Sequence, residues 1–156
     1  MNQHATKEER DLFFNHSFDL LGIVGGDGYF KRLNPAFERT LGYTEQELCS
    51  RPIVEFLHPE DVAKTKKGIQ TLSSGMSTIS SINRYRCKDG TYKWFSWNTN
   101  PLGNLFYSVG RDITEQVKAE EQVRPLKNQA SQNPALRRTS ETGVGVNSLH
   151  QRPGRA

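Results

Sequence analysis

The chain has 156 residues, 34% of them apolar, and a formal charge of +4, with a mean hydropathy of -0.72. That suits one domain with extensions and is too polar for a chain packed from end to end. No run of about eighteen apolar residues exists and the N-terminus has no apolar signal core, so neither a membrane span nor secretion is expected, and a cytoplasmic location is.

Thr6 to Asn15 predicts a short amphipathic helix. Thr6 and Glu9 make a capping-box pair, and Leu12, Phe13 and Phe14 crowd one end, which needs a surface to lie on. Leu20 to Val24 is an apolar run stopped by Gly25-Gly26-Asp27-Gly28 and answered by Tyr29 to Leu33, a hairpin with Asp-Gly at its turn. The glycines lack the spacing of GxGxxG and of the Walker loop, so they are read as a turn and not as a phosphate cradle.

Asn34-Pro35 opens a helix, with Asn as cap and Pro in the first helical position, and Gly42 closes it after Phe37 and Leu41. Thr44 to Leu48 starts another, with Thr44 and Glu47 as its capping box. Pro52 interrupts the chain, and Ile53 to Leu57 form one apolar turn. His58-Pro59-Glu60-Asp61 then leads into a longer helix, about Pro59 to Leu72. Val62, Ile69 and Leu72 face inward there, Lys64, Lys66 and Lys67 face water, and Ser73-Ser74-Gly75 ends it.

Ser77 to Arg86, Thr91 to Asn100 and Leu105 to Ile113 predict three strands in a row, turned at Asp89-Gly90 and Leu102-Gly103-Asn104, with Pro101 closing the second. Three strands with an apolar face hold together where two could not. The middle strand shows Lys93, Phe95, Trp97 and Thr99 on one face and Tyr92, Trp94, Ser96 and Asn98 on the other. Large rings on both faces imply that one covers the core and the other meets a helix or a second chain.

Glu115 to about Arg124 predicts a solvated helix ended by Pro125, and the Asn/Gln/Ser/Gly/Arg-rich remainder reads as disordered. The expected organisation is a helical extension (1–17), a domain (18–114), an exit helix (115–126) and a disordered tail (127–156). The tail carries the charge excess: residues 118–156 hold seven basic and three acidic residues, whereas residues 1–117 hold 14 of each. A nucleic-acid-binding domain would carry its own basic face, so that partner is not expected. Two strands, a helical insert and three more strands make an α+β fold: a five-stranded antiparallel sheet with short helices on one face and helices at both ends.

The segments GDGYFKRLNPAFERTLGYTEQEL, FLHPEDV, RYRCKDGTYKWFSWNTNP and VGRDIT, in this order and spacing, resemble the PAS domain family from about Phe18 to Val123. The resemblance implies a sensory and dimerising module of the kind found upstream of histidine kinases, cyclases or DNA-binding domains, including two-component systems. Such modules signal through a helix that starts after the Asp-Ile-Thr motif. It implies that Tyr85, Phe95, Trp97 and Thr99 face an internal cavity, with Phe37, Ile53, Phe56 and Ile69 opposite them. Trp94 would lie on the outer sheet face, where the N-terminal helix or a second subunit packs to make a homodimer. Arg111, Asp112 and Thr114 would form the switch, with Asp112 paired to a cation near the hairpin such as Lys88 or Arg86; the alternative is that Asp112 is a helix cap with a surface ion pair.

Blue-light flavin members use a cysteine in a GxNCRFLQ-like stretch. The matching position here is Ile53, and Cys49 lies about one helical turn earlier. Neither Cys49 nor Cys87 has ligand spacing, and both are read as reduced, unpaired thiols. The long helix holds no histidine, and His58 reads as a turn residue, so haem is less expected than a non-covalent flavin stacked on Trp97 and Phe95 and bonded at its edge by Asn98 or Asn100. A cavity filled by its own side chains would hold no cofactor. No nucleophile–base–orienter set, metal cluster or kinase motif is present, so catalysis is assigned to an effector outside this chain. The expected function is a sensory module that binds a small ligand and relays its state to that effector. The alternative is a ligand-free dimerisation and interaction scaffold.

Overall fold

The computed structural model describes residues 4–75 and 78–132, with side chains to Arg124. Residues up to Thr114 form one compact unit and those from Glu115 another. The first unit runs α1 (Lys7–His16), β1 (Leu20–Gly25), β2 (Phe30–Leu33), α2 (Ala36–Leu41) and α3 (Glu45–Cys49). Two 3-10 turns follow (Ile53–Phe56 and Pro59–Asp61), then α4 (Val62–Ser73) and the strands β3 (Ile79–Arg86), β4 (Tyr92–Leu102) and β5 (Leu105–Asp112). The strands make one five-stranded antiparallel sheet, as the α+β reading expects, and its order is β2-β1-β5-β4-β3.

The local signals explain these elements. Thr6 and Glu9 exchange both bonds of a capping box at the start of α1. Gly28 and Gly90 take φ of 82° and 91° at the two Asp-Gly turns, a region closed to most side chains. The odd-numbered positions of β3 and β4 and the even-numbered ones of β5 point to one face, and α2 to α4 cover it. Phe95, Trp97 and Phe106 are buried there with Phe37, Ile53, Phe56 and Leu72. Gly110 faces Trp97 across the β4–β5 pair. A Cβ at Gly110 would lie 2.4 Å from the Trp97 ring, so its absence lets the indole lie on the sheet. The other face keeps Tyr107 (40% exposed), Val109 (42%) and Ile82 (45%) open to solvent.

Three sequence expectations change. Asn34 does not cap α2. It is 2% exposed, and its Oδ1 accepts from the Leu21 N–H at 3.0 Å while Nδ2 donates to the Phe14 and Asp19 carbonyls. The amide satisfies three buried backbone groups where α1 meets β1, and those outweigh one helix-end N–H that another carbonyl can serve. Thr44 does accept from the Glu47 N–H, but the Glu47 carboxylate pairs with Lys88 at 2.9 Å in place of completing the box. Pro101 lies inside β4, opposite Phe106. Among the described residues the β3–β4 pairing ends at Ile79–Thr99, two residues before Pro101.

In the second unit, α5 (Thr114–Gln132) passes Pro125, where the sequence predicts a stop, and includes residues 127–132 of the expected disordered tail. Proline deletes one i→i−4 bond and crowds the carbonyl four residues back, at about 3 kcal/mol, but the neighbouring turns keep their own bonds. The disorder expected for residues 133–156 lies outside the described residues.

Candidate functional site

Between the sheet and α4 the first unit leaves a cavity of about 80 Å³. Its floor is the inward face of the meander: Ile79, Ser81, Asn83 and Tyr85 from β3, Trp97 and Thr99 from β4, and Phe106 and Ser108 from β5. Val24, Phe30 and Ile53 close one end. The roof is one face of α4, where Lys64, Thr65, Gly68, Ile69 and Leu72 recur at helical spacing.

Four polar side chains of this floor, Asn83, Trp97, Thr99 and Ser108, are hydrogen-bonded within the cavity wall. The Asn83 Oδ1 accepts from the Trp97 indole N–H at 2.8 Å, and its Nδ2 donates to the Thr65 hydroxyl at 3.3 Å. The Thr99 and Ser108 hydroxyls meet at 2.9 Å. Burial pushes the Tyr85 phenol well above its ordinary pKa, so it stays protonated at every physiological pH.

Of the eight cavity residues expected from sequence, Ile53, Ile69, Tyr85, Trp97 and Thr99 line it. Phe37, Phe56 and Phe95 do not; they are core behind the walls. The Phe95 ring is held 5.7 Å from both Tyr85 and Trp97, Phe37 stacks on Trp97 at 6.1 Å, and Phe56 meets Tyr43 at 5.1 Å. Sequence reasoning missed Ser81 and Asn83, which share the strand parity of Tyr85, and the roof residues Lys64, Thr65 and Gly68, which share a helix face with Ile69. Both periodicities were readable.

A flavin or haem does not fit this cavity as it stands: sites for molecules of drug size measure about 300–1,000 Å³. Nor are its stacking faces free, because Trp97 is covered by Phe37. Asn98 and Asn100 point to the other side of the sheet, where Asn98 accepts from Ser80 and Asn100 from Thr78, so they cannot bond a ligand's edge inside. His58 is a turn residue: its Nδ1 accepts from the Glu60 N–H at 3.1 Å. The thiols of Cys49 and Cys87 are unpaired, and burial pushes both up in pKa, away from the reactive thiolate. Among the described residues no group of three His, Cys, Asp or Glu side chains is placed to hold a metal.

Of the two readings of Asp112, the structure has the cap and not the pairing with a hairpin cation. Asp112 pairs with neither Lys88 nor Arg86; Lys88 takes Glu47, and Arg86 donates to the Glu55 carbonyl at 3.2 Å. The Asp112 Oδ1 instead accepts from the N–H and hydroxyl of Thr114, two residues on, which is the nearest unsatisfied helix-end donor. Arg111 reaches Asp19 at 3.8 Å. Thr114 is buried, and its Oγ1 accepts from the Trp94 N–H at 3.0 Å.

The ion pair that sequence reasoning did not find joins Asp61 to Arg84. Arg84 donates from Nε and Nη2 to the two Asp61 oxygens at 2.9 Å each, and its own backbone N–H adds a third bond at 2.7 Å. The Arg84 guanidinium holds the Asp61 carboxyl below the usual carboxylate range. With the His58 N–H bonded to the Arg84 carbonyl and Lys64 Nζ to the Ile82 carbonyl, these contacts seal the outer edge of β3 from Ile82 to Arg86.

Comparison with known proteins gives this geometry a family. The chain is 27% identical over 106 residues, 64% of its length, to the sensor histidine kinase TmoS of Ectopseudomonas mendocina, and spans 11% of that protein. It is 28% identical over 130 residues, 78% of its length, to the probable diguanylate cyclase DgcE of Escherichia coli K12, spanning 12% of it. The chain thus covers about a tenth of the length of these curated relatives. Among solved structures, the PAS domain of the Cronobacter turicensis quorum-sensing receptor RpfR, in complex with BDSF, superposes with a TM-score of 0.58 at 18% identity, over 64% of this chain and 97% of that one. A family profile described as PAS fold matches residues 30–110, more than half of the chain, and with the five-stranded sheet and its helical roof this establishes that the chain belongs to the PAS family.

Proposed function

We propose that this PAS domain is the sensory part of a signalling protein and takes a small, mostly apolar ligand between α4 and the sheet. The observation that carries the reading is the cavity itself: about 80 Å³ remains open in a unit whose other aromatic side chains are closely packed. An apolar cavity of about 150 Å³ holds one benzene, so the resting space suits part of a small molecule. The RpfR domain, named in complex with BDSF and, in a second structure, with C12:0, supports a ligand role for a domain of this fold. The relatives TmoS and DgcE support an effector, kinase or cyclase, on the same polypeptide or a partner, reached through α5. The open outer face with Tyr107, Val109 and Ile82, together with Leu12 and Phe13 of α1, supports a homodimer through that face.

Native mass spectrometry of the purified chain, with thermal melts against a panel of small amphiphiles, tests the ligand. A bound mass or a ligand-dependent rise in melting temperature, lost in Ile69→Trp while the far-UV spectrum stays wild type, supports the reading. No bound mass and no shift across the panel would leave the ligand-free scaffold, which the Asn83–Trp97 and Thr99–Ser108 bonds within the floor also permit.

A further inference from the structure

The cavity and a groove on the outer surface share four residues: Lys64, Gly68, Ile79 and Ser81. These four frame a doorway between α4 and the first half of β3, the part of that edge strand lying before the seal from Ile82 to Arg86. Gly68 keeps the doorway open. Among the described residues, and apart from its own helix backbone, a Cβ there would meet no heavy atom within 4 Å, so a longer side chain has space to project into.

The chemistry differs across the threshold. Inside, Asn83 is committed to Trp97 and Thr65, and Thr99 to Ser108. No buried side-chain N or O among the described residues lacks a partner. The Ser81 and Tyr85 hydroxyls are the polar groups left open to the cavity, and an alkyl chain would gain contact with Val24, Ile69, Leu72 and Phe106. At the threshold stands an exposed cation. Lys64 places one of its three donors on the Ile82 carbonyl, which leaves two for a ligand, and Lys67 lines the groove outside.

We propose that the cavity takes the end of a short straight-chain carboxylate: tail past Gly68 toward Ile69 and Phe106, carboxylate at the doorway on Lys64. This rests on the ligand-binding reading above and names the ligand's class and orientation. A volume of about 80 Å³ admits a few methylenes, so hexanoate is the probe and 1-hexanol its uncharged control.

Amide chemical-shift titration of the full chain tests it. Hexanoate should move Gly68, Ser81 and the Trp97 indole, bind more weakly as salt rises, and bind about tenfold more weakly to Lys64→Met, the scale of one charge-assisted hydrogen bond. Gly68→Phe should block entry and Gly68→Ala should not; the Ala variant, with a wild-type far-UV spectrum for both, separates plugging from misfolding. Hexanol binding as tightly as hexanoate, or a neutral Lys64→Met, would overturn the carboxylate. Undiminished binding to a folded Gly68→Phe would overturn the doorway. A co-purified mass with no hexanoate shift would overturn this assignment and leave the ligand-binding reading standing; no mass and no shift would remove both.

Discussion

The Arg84 guanidinium lies 4.7 Å from the centre of the Trp94 ring while its Nε and Nη2 grip the buried Asp61. Arg84 and Trp94 are cross-strand partners, so the stack is fixed by register. Asp61 sits directly before α4, the roof of the cavity. The Trp94 carbonyl accepts from the Ile113 N–H at 2.9 Å and its N–H donates to Thr114, where α5 begins. One side chain thus stands between the roof and the exit of the domain, along the outer edge of the sheet and not through the cavity.

Removing that side chain should cost more than a surface pair would. Arg84→Ala strands the Asp61 carboxylate, which is 5% exposed, and should lower stability by about 3 kcal/mol in urea melts, the low end for breaking a buried pair. Arg84→Lys keeps the charge but loses the two-pronged grip and should fall between. A loss under about 1 kcal/mol in Arg84→Ala would show the pair to be surface-like.

The same pair should appear in the acid limb of stability. Arg84 holds the Asp61 carboxyl below its ordinary value, so the folded state favours the ionised form. Its contribution is complete above the unfolded carboxyl's pKa of about 3.9 and is lost as pH falls through the lower folded value. Melting temperature against pH should therefore drop less steeply below about pH 4 in Asp61→Asn than in wild type. Parallel acid limbs would remove Asp61 as a contributor.

Asn34 should matter as a clasp and not as a cap. Asn34→Ala frees the Leu21 N–H and the Phe14 and Asp19 carbonyls, at about 2 kcal/mol, and should speed amide exchange in α1 well beyond the global effect. Asn34→Asp should be worse at neutral pH, because it sets a carboxylate against two carbonyls. Protection of α1 unchanged in Asn34→Ala would show that α1 is held elsewhere, for instance by Arg32, which reaches Asp11 at 3.5 Å and the Phe14 ring at 4.3 Å.

These contacts mark where the sequence could be read and where it could not. The strands, their turns and the inward parity of Phe95, Trp97 and Thr99 were legible because Asp-Gly turns and period-two alternation are local, whereas the β1–β5 pairing that closes the sheet is not. Asp61–Arg84 spans 23 residues and Asn34–Phe14 spans 20, and no local pattern announces a partner at that range. Asn34 before Pro35 carries a true capping signal, yet tertiary backbone groups claimed the amide. Which aromatic ring lines the cavity and which only backs it depended on how far each reaches under α4, a matter of packing depth that strand parity does not encode.

Gly110 sets the floor of the cavity. Gly110→Ala drives a methyl to within 2.6 Å of three Trp97 ring carbons, so the indole must tilt or the strands part. Stability should fall by about 1–3 kcal/mol, as for an overpacked core. In a Trp94→Phe background the Trp97 emission and near-UV signal should change while the far-UV signal persists. An unaltered Trp97 spectrum with wild-type stability would mean that the floor has slack the structure does not show.

Thr114 and Asp112 supply the last test, of how the domain grips the first residue of α5. Thr114→Val keeps the shape but deprives the Trp94 N–H of its acceptor and should cost about 1 kcal/mol. Asp112→Ala removes the acceptor of the Thr114 N–H, equivalent to losing an N-cap, again about 1 kcal/mol. Both should leave the sheet intact and speed amide exchange at Trp94, Ile113 and Thr114 selectively. Joined to a kinase or cyclase effector, they should also shift basal output, whereas Arg111→Ala, which loses only an exposed contact to Asp19 at 3.8 Å, should change neither. Faster local exchange with unchanged output would separate the grip from signalling and leave it a structural joint; unchanged exchange would show that α5 is anchored without these two side chains.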